Sequence, residues 1–205
     1  MTVSLRNPAD VVNAALVAMG WRNQVGSLWD GSDAAKLALA VYGQTRDALL
    51  RGSDWGFAQY TAPLTVLKIA PANYVPPTSW NPTDYPPLPW AFEYAYPADC
   101  LQVRSLRATP LFVGPDFDPT PVLFQIANDD VDDVSKRTIL ANLQDAIATY
   151  TRRVTDPSLF SVDFADVLVE KLQETLGAAL ASLQESQMGA LKAARDLDEA
   201  KKEQG

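Results

Sequence analysis

Histidine is absent from the 205 residues, and cysteine occurs once, at Cys100. The first absence excludes Ser-His and Cys-His nucleophilic machinery, His-ligated zinc and the commonest general base. A single thiol excludes an intrachain disulfide and a two-thiol metal or redox site, so a reducing assembly compartment suits the chain. Lying inside a candidate strand, Cys100 reads as a small buried hydrophobe rather than a nucleophile. No Gly-x-Gly-x-x-Gly and no Gly-Lys-Ser/Thr loop occurs, so nucleotide chemistry lacks its usual phosphate cradle. Basic residues are the minority, 17 Lys and Arg against 25 Asp and Glu, for a formal charge of −8. That balance argues against broad binding to nucleic acid or anionic membrane, both of which need clustered cations. No apolar run approaches the roughly 20 residues of a membrane span, and a soluble protein is expected. No cofactor is implied.

What remains is ordinary globular material, 47% hydrophobic and 20% charged, enough for one good core or for a domain with a sizeable insertion. Arg6 before Val11, Val12, Leu16 and Val17 raises the question of a leader peptide. Asp10 and Asn13 interrupt that run, and Asn7-Pro8 reads better as an N-cap followed by proline at the first helical position. A helix is predicted from about Pro8 to Met19, with Gly20 placed for a left-handed C-terminal cap. After a tight polar loop, Ser32 or Asp33 can cap a second helix carrying Leu37, Val41, Ala48 and Leu49, stopped near Arg51 by Gly52 and Ser53. Trp21, Trp29 and Trp55 flank these helices. They read as core or hairpin packing, since the basic residues of a base-stacking platform are missing.

Beyond Trp55 the pattern changes. Thirteen of the fifteen prolines fall between Pro63 and Pro121, which prevents long helices there and breaks strands into short pieces. Candidate strands are Phe57 to Thr61, Leu64 to Ile69, Ala91 to Tyr96, Leu101 to Leu106 and Val122 to Ile126. The run from Ala70 to Pro89 reads as a long loop, of the kind that is usually functional or disordered. Its Tyr74, Trp80 and Tyr85 favour packing or contact with a partner, and Pro86-Pro87-Leu88-Pro89 leaves a polyproline ligand as the alternative.

Helical spacing returns over Lys136 to Val154, with Ile139, Leu140, Leu143, Ile147 and Tyr150 on one side and Asp156-Pro157 as the stop. The last helix, from about Phe164 to Lys202, repeats Leu168, Leu172, Leu176, Leu180 and Leu183. Its second half has little apolar surface, so Gln184 to Gly205 is either a frayed tail or a docking arm, because isolated helices gain little from propensity alone. The arm candidates are Met188, Leu191, Ala194, Arg195 and Leu197. A free-standing coiled-coil scaffold fits less well, as leucines at successive fourth positions drift around the helix. The acids Asp129, Asp130, Asp132 and Asp133 form the one candidate chemical cluster. Paired carboxylates could bind calcium or act as acid and base, whereas the plainer reading makes them a solvated loop capping the Lys136 helix.

Three stretches carry a resemblance to a known family. Val11-Val12-Asn13-Ala14-Ala15-Leu16 to Gly20, Val25-Gly26-Ser27-Leu28 with Asp30-Gly31, and Asp33-Ala34-Ala35 leading to Asp54-Trp55-Gly56-Phe57 form the strongest. Trp90 to Leu101 and Tyr150 to Phe160, the latter followed by a long helix, are the others. Together they resemble the tail tubular protein A family, the head-to-tail adaptors of tailed bacteriophages. The segment Ala70 to Pro121 departs from that pattern through its density of proline.

The resemblance implies a non-enzymatic virion protein that forms a homo-oligomeric ring, dodecameric in the family, below the portal protein. Such a ring extends the DNA channel without sequence-specific binding, offers a platform to a downstream tail or nozzle protein, and touches no membrane. The implied fold is α+β: a helical bundle of two N-terminal and two C-terminal helices, residues 1–56 and 135–205, with an antiparallel β portion inserted at 57–134. Neck or tail of the virion, after assembly in the host cytoplasm, is the implied location. A carboxylate-dependent, glycan-cleaving tail component is the alternative.

Overall fold

Asn7 starts the first helix through its side chain. Its Oδ1 accepts the Asp10 N–H at 3.0 Å, and Asp10 Oδ2 accepts the Asn7 N–H at 3.1 Å, so two orphan donors are satisfied reciprocally. Helix α1 then runs Pro8–Ala18. It stops where Gly20 takes φ +76°, with Gly20 N–H on Val17 O and Trp21 N–H on Leu16 O, both at 2.9 Å. That bond pair closes the helix end, and the left-handed residue it needs is best supplied by glycine. In a computed structural model that describes residues 6–71, 81, 83–108, 122–131 and 134–203, α1 belongs to one of two compact units. These are Met1–Gly52 with Val154–Gly205, and Ser53–Arg153.

The remaining helices of the first unit are α2, Asp33–Gly52, and α3, Val162–Glu203. Ser32 Oγ accepts the Ala35 N–H at 3.2 Å and so caps α2. The buried stripe of α2 is Ala34, Ala35, Ala38, Tyr42, Arg46 and Leu50. This differs from the expected face, since Leu37, Val41 and Leu49 are half-buried and Ala48 is exposed. The alanines admit close backbone approach, and Arg46 reaches burial along its stem, its guanidinium 5.9 Å from the Tyr42 ring centroid and 2.7 Å from Asp47 Oδ1.

Helix α3 packs on both α1 and α2. It does so through Phe164, Leu168, Leu172, Leu176 and Leu180, each 3% exposed or less. Residues four apart form an inclined ridge suited to lie in the grooves of neighbouring helices. At Gly177 the approach is tight: an added Cβ would stand 3.3 Å from Met19 Sδ.

The described residues of the second unit form seven strands: β1 Gln59–Pro63, β2 Val66–Ile69, β3 Phe92–Ala95, β4 Cys100–Arg107, β5 Phe124–Val131, β6 Val134–Ala141 and β7 Ile147–Arg152. They form two antiparallel sheets, ordered β1-β7-β4 and β2-β3-β6-β5. Pro63 ends an edge strand, where a missing N–H is tolerated. Both sheets contribute to one core, with Tyr94, Ile139 and Ala141 from one and Val103, Leu106, Ala148 and Tyr150 from the other. Two tyrosine hydroxyls of this core are tied in: Tyr94 donates to Leu143 O, and Tyr150 donates to Asp99 Oδ1 at 3.0 Å.

The fold is therefore mixed α+β, as expected, but its arrangement corrects the expectation in one place. Three α-helices, not four, occur among the described residues, because the stretch read as a helix over Lys136 to Val154 is β6, a corner, and β7. Asp145 sits at that corner with φ +52°, a left-handed conformation that a continuous helix cannot contain. Thr138, Ile139, Ile147, Thr149 and Thr151 are β-branched and favour the extended chain. Residues 135–153 therefore belong to the β unit and not to the bundle. The five expected strands recur with shifted ends.

Candidate functional site

Helix α3 is longer than its supports. Its 42 residues span about 63 Å at 1.5 Å per residue, against about 30 Å for the 20 residues of α2 and about 16 Å for the 11 of α1. Among the described residues the last buried member of the ridge is Leu180, and the helix continues to Glu203. Past that point Ser182, Glu185, Ser186, Met188, Lys192 and Arg195 are exposed. Met188 is 68% exposed, and Arg195, seven residues on, returns to the same helical face. Leu191, Ala194 and Leu197 lie on the same helix, but their side chains fall outside the described residues. Of the loop candidates, Tyr85 is half-buried on a turn organised by Asn81, whose side chain accepts the Thr83 N–H at 3.1 Å and donates to Asp84 at 2.7 Å. Tyr74 and Trp80 lie outside the described residues.

The acidic cluster does not cap a helix, since Lys136 is in β6. Asp129 and Asp130 are in β5, and Asp132 and Asp133 lie outside the described residues. Asp129 instead joins a charge triad that sequence reasoning missed. Lys68 Nζ donates to Asp129 Oδ2 and stands 3.8 Å from Glu93 Oε2. Glu93 is fully buried, and among the described residues neither of its carboxylate oxygens has a hydrogen-bond partner, nor does the equally buried Thr138 hydroxyl. Lys68, Glu93 and Asp129 border a cavity of about 170 Å³, lined also by Pro87, Asn128 and Leu140. Burial pushes the Glu93 carboxyl above its ordinary value, and the Asp129 charge adds to this, while the Lys68 charge acts in the opposite direction. A proton on Glu93 brings the triad to neutrality. The sequence-level signal was the alternation in Phe92-Glu93-Tyr94, which places Glu93 opposite the aromatic face. Among the described residues, no three His, Cys, Asp or Glu side chains are grouped so as to hold a metal ion, and no helix is long and apolar enough to cross a membrane.

Two further surface features stand out. A groove of about 530 Å³ is lined by Leu67, Tyr96, Pro97, Cys100, Lys136 and Arg137, among others. The Arg137 guanidinium stacks 5.3 Å from the Tyr96 ring centroid, and burial pushes the Tyr96 hydroxyl up to about 12. Cys100 is buried, and desolvation raises its thiol above the ordinary value, which suits a packing role. On the helical unit, Trp29 is 77% exposed, which corrects the reading of this tryptophan as hairpin packing; Trp21 and Trp55 are half-buried. Its loop is nevertheless well ordered by hydrogen bonds. Asn13 grips the Val25 backbone through both N–H and C=O at 2.8 and 2.9 Å. Asp30 accepts from Gly26 N–H at 2.8 Å and Ser32 N–H at 2.9 Å, and the Ser32 hydroxyl, together with these backbone bonds, holds its carboxyl below the usual range.

No protein-family model matches the chain and no curated protein does either, so neither comparison assigns the module of residues 7–57 to a family.

Proposed function

We propose that the chain is a virion structural protein, a head-to-tail adaptor that forms a homo-oligomeric ring beneath a phage portal. In this reading it extends the DNA channel and carries the next tail or nozzle component. The observation that carries the reading is the second half of α3, roughly 34 Å of helix beyond Leu180, the last leucine that is buried among the described residues. The side chains described past that point are exposed, and docking on another protein supplies such a segment with what propensity does not. Met188, Leu191, Ala194, Arg195 and Leu197 are the proposed portal contacts. The family resemblance supplies the ring and its twelvefold symmetry. A ring needs two different adhesive faces on each subunit and no catalytic centre. An excess of acidic residues suits a conduit for DNA, because attraction to phosphates would retard passage. The location follows: the neck of the virion, assembled in the host cytoplasm.

The test is docking. Purified protein mixed with portal rings should give a larger complex by light scattering and a defined ring by cryo-microscopy. Removal of residues after Gln187 should abolish docking with the far-UV circular dichroism otherwise native in proportion to length. Unchanged portal binding by the truncated chain would sink the arm assignment. The competing glycan-cleaving reading draws on the acids around Asp129. The bond from Lys68 to Asp129 favours a structural role for that residue, and loss of a wall-digesting activity in Asp130→Asn would reverse the preference.

A further inference from the structure

We propose that the Trp29 loop of one copy of this chain seats in the Tyr96–Arg137 groove of a second copy, as a head-to-tail contact between subunits. The inference rests on the ring reading and names the two adhesive faces it requires. Trp29 is the most exposed aromatic among the exposed large hydrophobic side chains, at 77%. The loop that bears it is fixed by Asn13 and Asp30, so little conformational freedom remains to be lost on binding. Pre-organised tryptophans are the commonest anchors of protein interfaces, and each can bury about 150–250 Å².

The groove has the complementary chemistry. Leu67, Pro97 and Cys100 offer apolar walls, and its volume of about 530 Å³ lies within the usual range for a binding cleft, about 300–1,000 Å³. Arg137 is exposed, already stacked on Tyr96, and in no ion pair among the described residues. An indole laid on the open face of that guanidinium gains a cation–π contact. The ionised Asp30 beside Trp29 then meets the Arg137 side of the groove. Because the two faces are different patches of one chain, the contact is heterologous and propagates from copy to copy until symmetry closes it.

The experiment places the photoreactive residue benzoylphenylalanine at position 29, mixes heavy-isotope and light chains from dilute to concentrated solution, irradiates, and maps adducts by mass spectrometry. Light scattering is recorded on the same samples. The expected result is mixed-isotope adducts in peptides containing Tyr96–Cys100 or Lys136–Arg137. Arg137→Glu should lower the yield about tenfold, the loss of one interfacial anchor of about 1.4 kcal/mol, with Arg137→Lys retaining part of it. Oligomers whose adducts map elsewhere would overturn this contact and leave the ring reading standing. A monomer at every concentration, with no mixed-isotope adduct, would overturn the contact and self-assembly together. Both positions are exposed, so circular dichroism of the variants should match the parent chain.

Discussion

The two units answer their polar groups over very different distances along the chain. In the helical unit the partners are close in sequence: Asn7 with Asp10, Arg46 with Asp47, Ser32 with Ala35, and Asn13 with Val25 only twelve residues on. In the β unit, outside the Asn81 turn, they are remote: Tyr150 with Asp99 across 51 residues, Lys68 with Asp129 across 61, and Thr61 with Thr149 across 88. Local bonds form as soon as the segment does, whereas remote ones exist only once both sheets are paired. The helical unit is accordingly specified by short motifs and one leucine ridge. The β unit is specified by register, and it is the unit in which a buried carboxylate has no hydrogen bond among the described residues.

The largest expected effect comes from breaking the ridge. Leu172→Ala removes a fully buried side chain between α3 and its neighbours and should cost about 2–5 kcal/mol. Urea unfolding followed by the helix signal in far-UV circular dichroism measures it. A cost below about 1 kcal/mol would mean that the ridge is not what holds the helical unit together.

A smaller loss is expected where the same unit relies on polar contact. Asn13→Ala deletes both bonds to Val25 and leaves a buried N–H and C=O unsatisfied, for about 1–3 kcal/mol. Hydrogen exchange at the Val25 amide should accelerate before exchange in the centre of α2 does. Equal acceleration throughout would show that the loop unfolds only with the whole unit, contrary to a local role for Asn13.

The same contrast explains how much was legible beforehand. The capping pair Asn7-Pro8, the Gly20 stop, the Ser32 cap and the i+4 leucines are local rules, and the structure uses each of them. The five proline-bounded strands were readable because proline and glycine punctuate locally. Lys136 to Val154 was misread because Ile139, Leu143, Ile147 and Tyr150 fall at helical spacing, and only pairing with β3, β5, β1 and β4 turns that stretch into strands. Of the candidate site, the over-long α3 was visible as a loss of apolar spacing after Leu183. The Lys68–Glu93–Asp129 triad was not, since nothing in a sequence gathers β2, β3 and β5 into one sheet. Trp29 was seen but assigned inward, and its exposure depends on how the loop is braced by Asn13.

The β unit should respond to removal of a charge rather than of a contact. Glu93 has its carboxyl pushed above the ordinary value of 4.5 in the fold, so the native state binds that proton more tightly than the unfolded chain. The stability this supplies is complete below the unfolded value and is lost as pH rises through the folded one. Glu93→Gln keeps the shape without the charge, and Lys68 keeps Asp129 as its partner. The variant should match the parent near pH 4 and exceed it at higher pH, by on the order of 1 kcal/mol. Melting temperatures across that range decide the matter. A difference that is constant with pH, or that favours the parent at high pH, would show that Glu93 is held ionised by Lys68.

The smallest effect on stability is expected at the end of α3, and there the comparison is sharpest. Met188→Ser changes a side chain that is 68% exposed, so unfolding should move by no more than about 0.5 kcal/mol. If the second half of α3 is a docking arm, the same change should weaken portal association by several-fold, since an exposed methionine that becomes buried in a complex loses its apolar contact there. Leu172→Ala predicts the converse for any population that remains folded: a large stability loss with docking preserved per folded molecule. One helix then separates into a segment that holds the subunit and a segment that serves assembly. Loss of stability in both variants, or of docking in neither, would return the far half of α3 to the status of an ordinary helical extension.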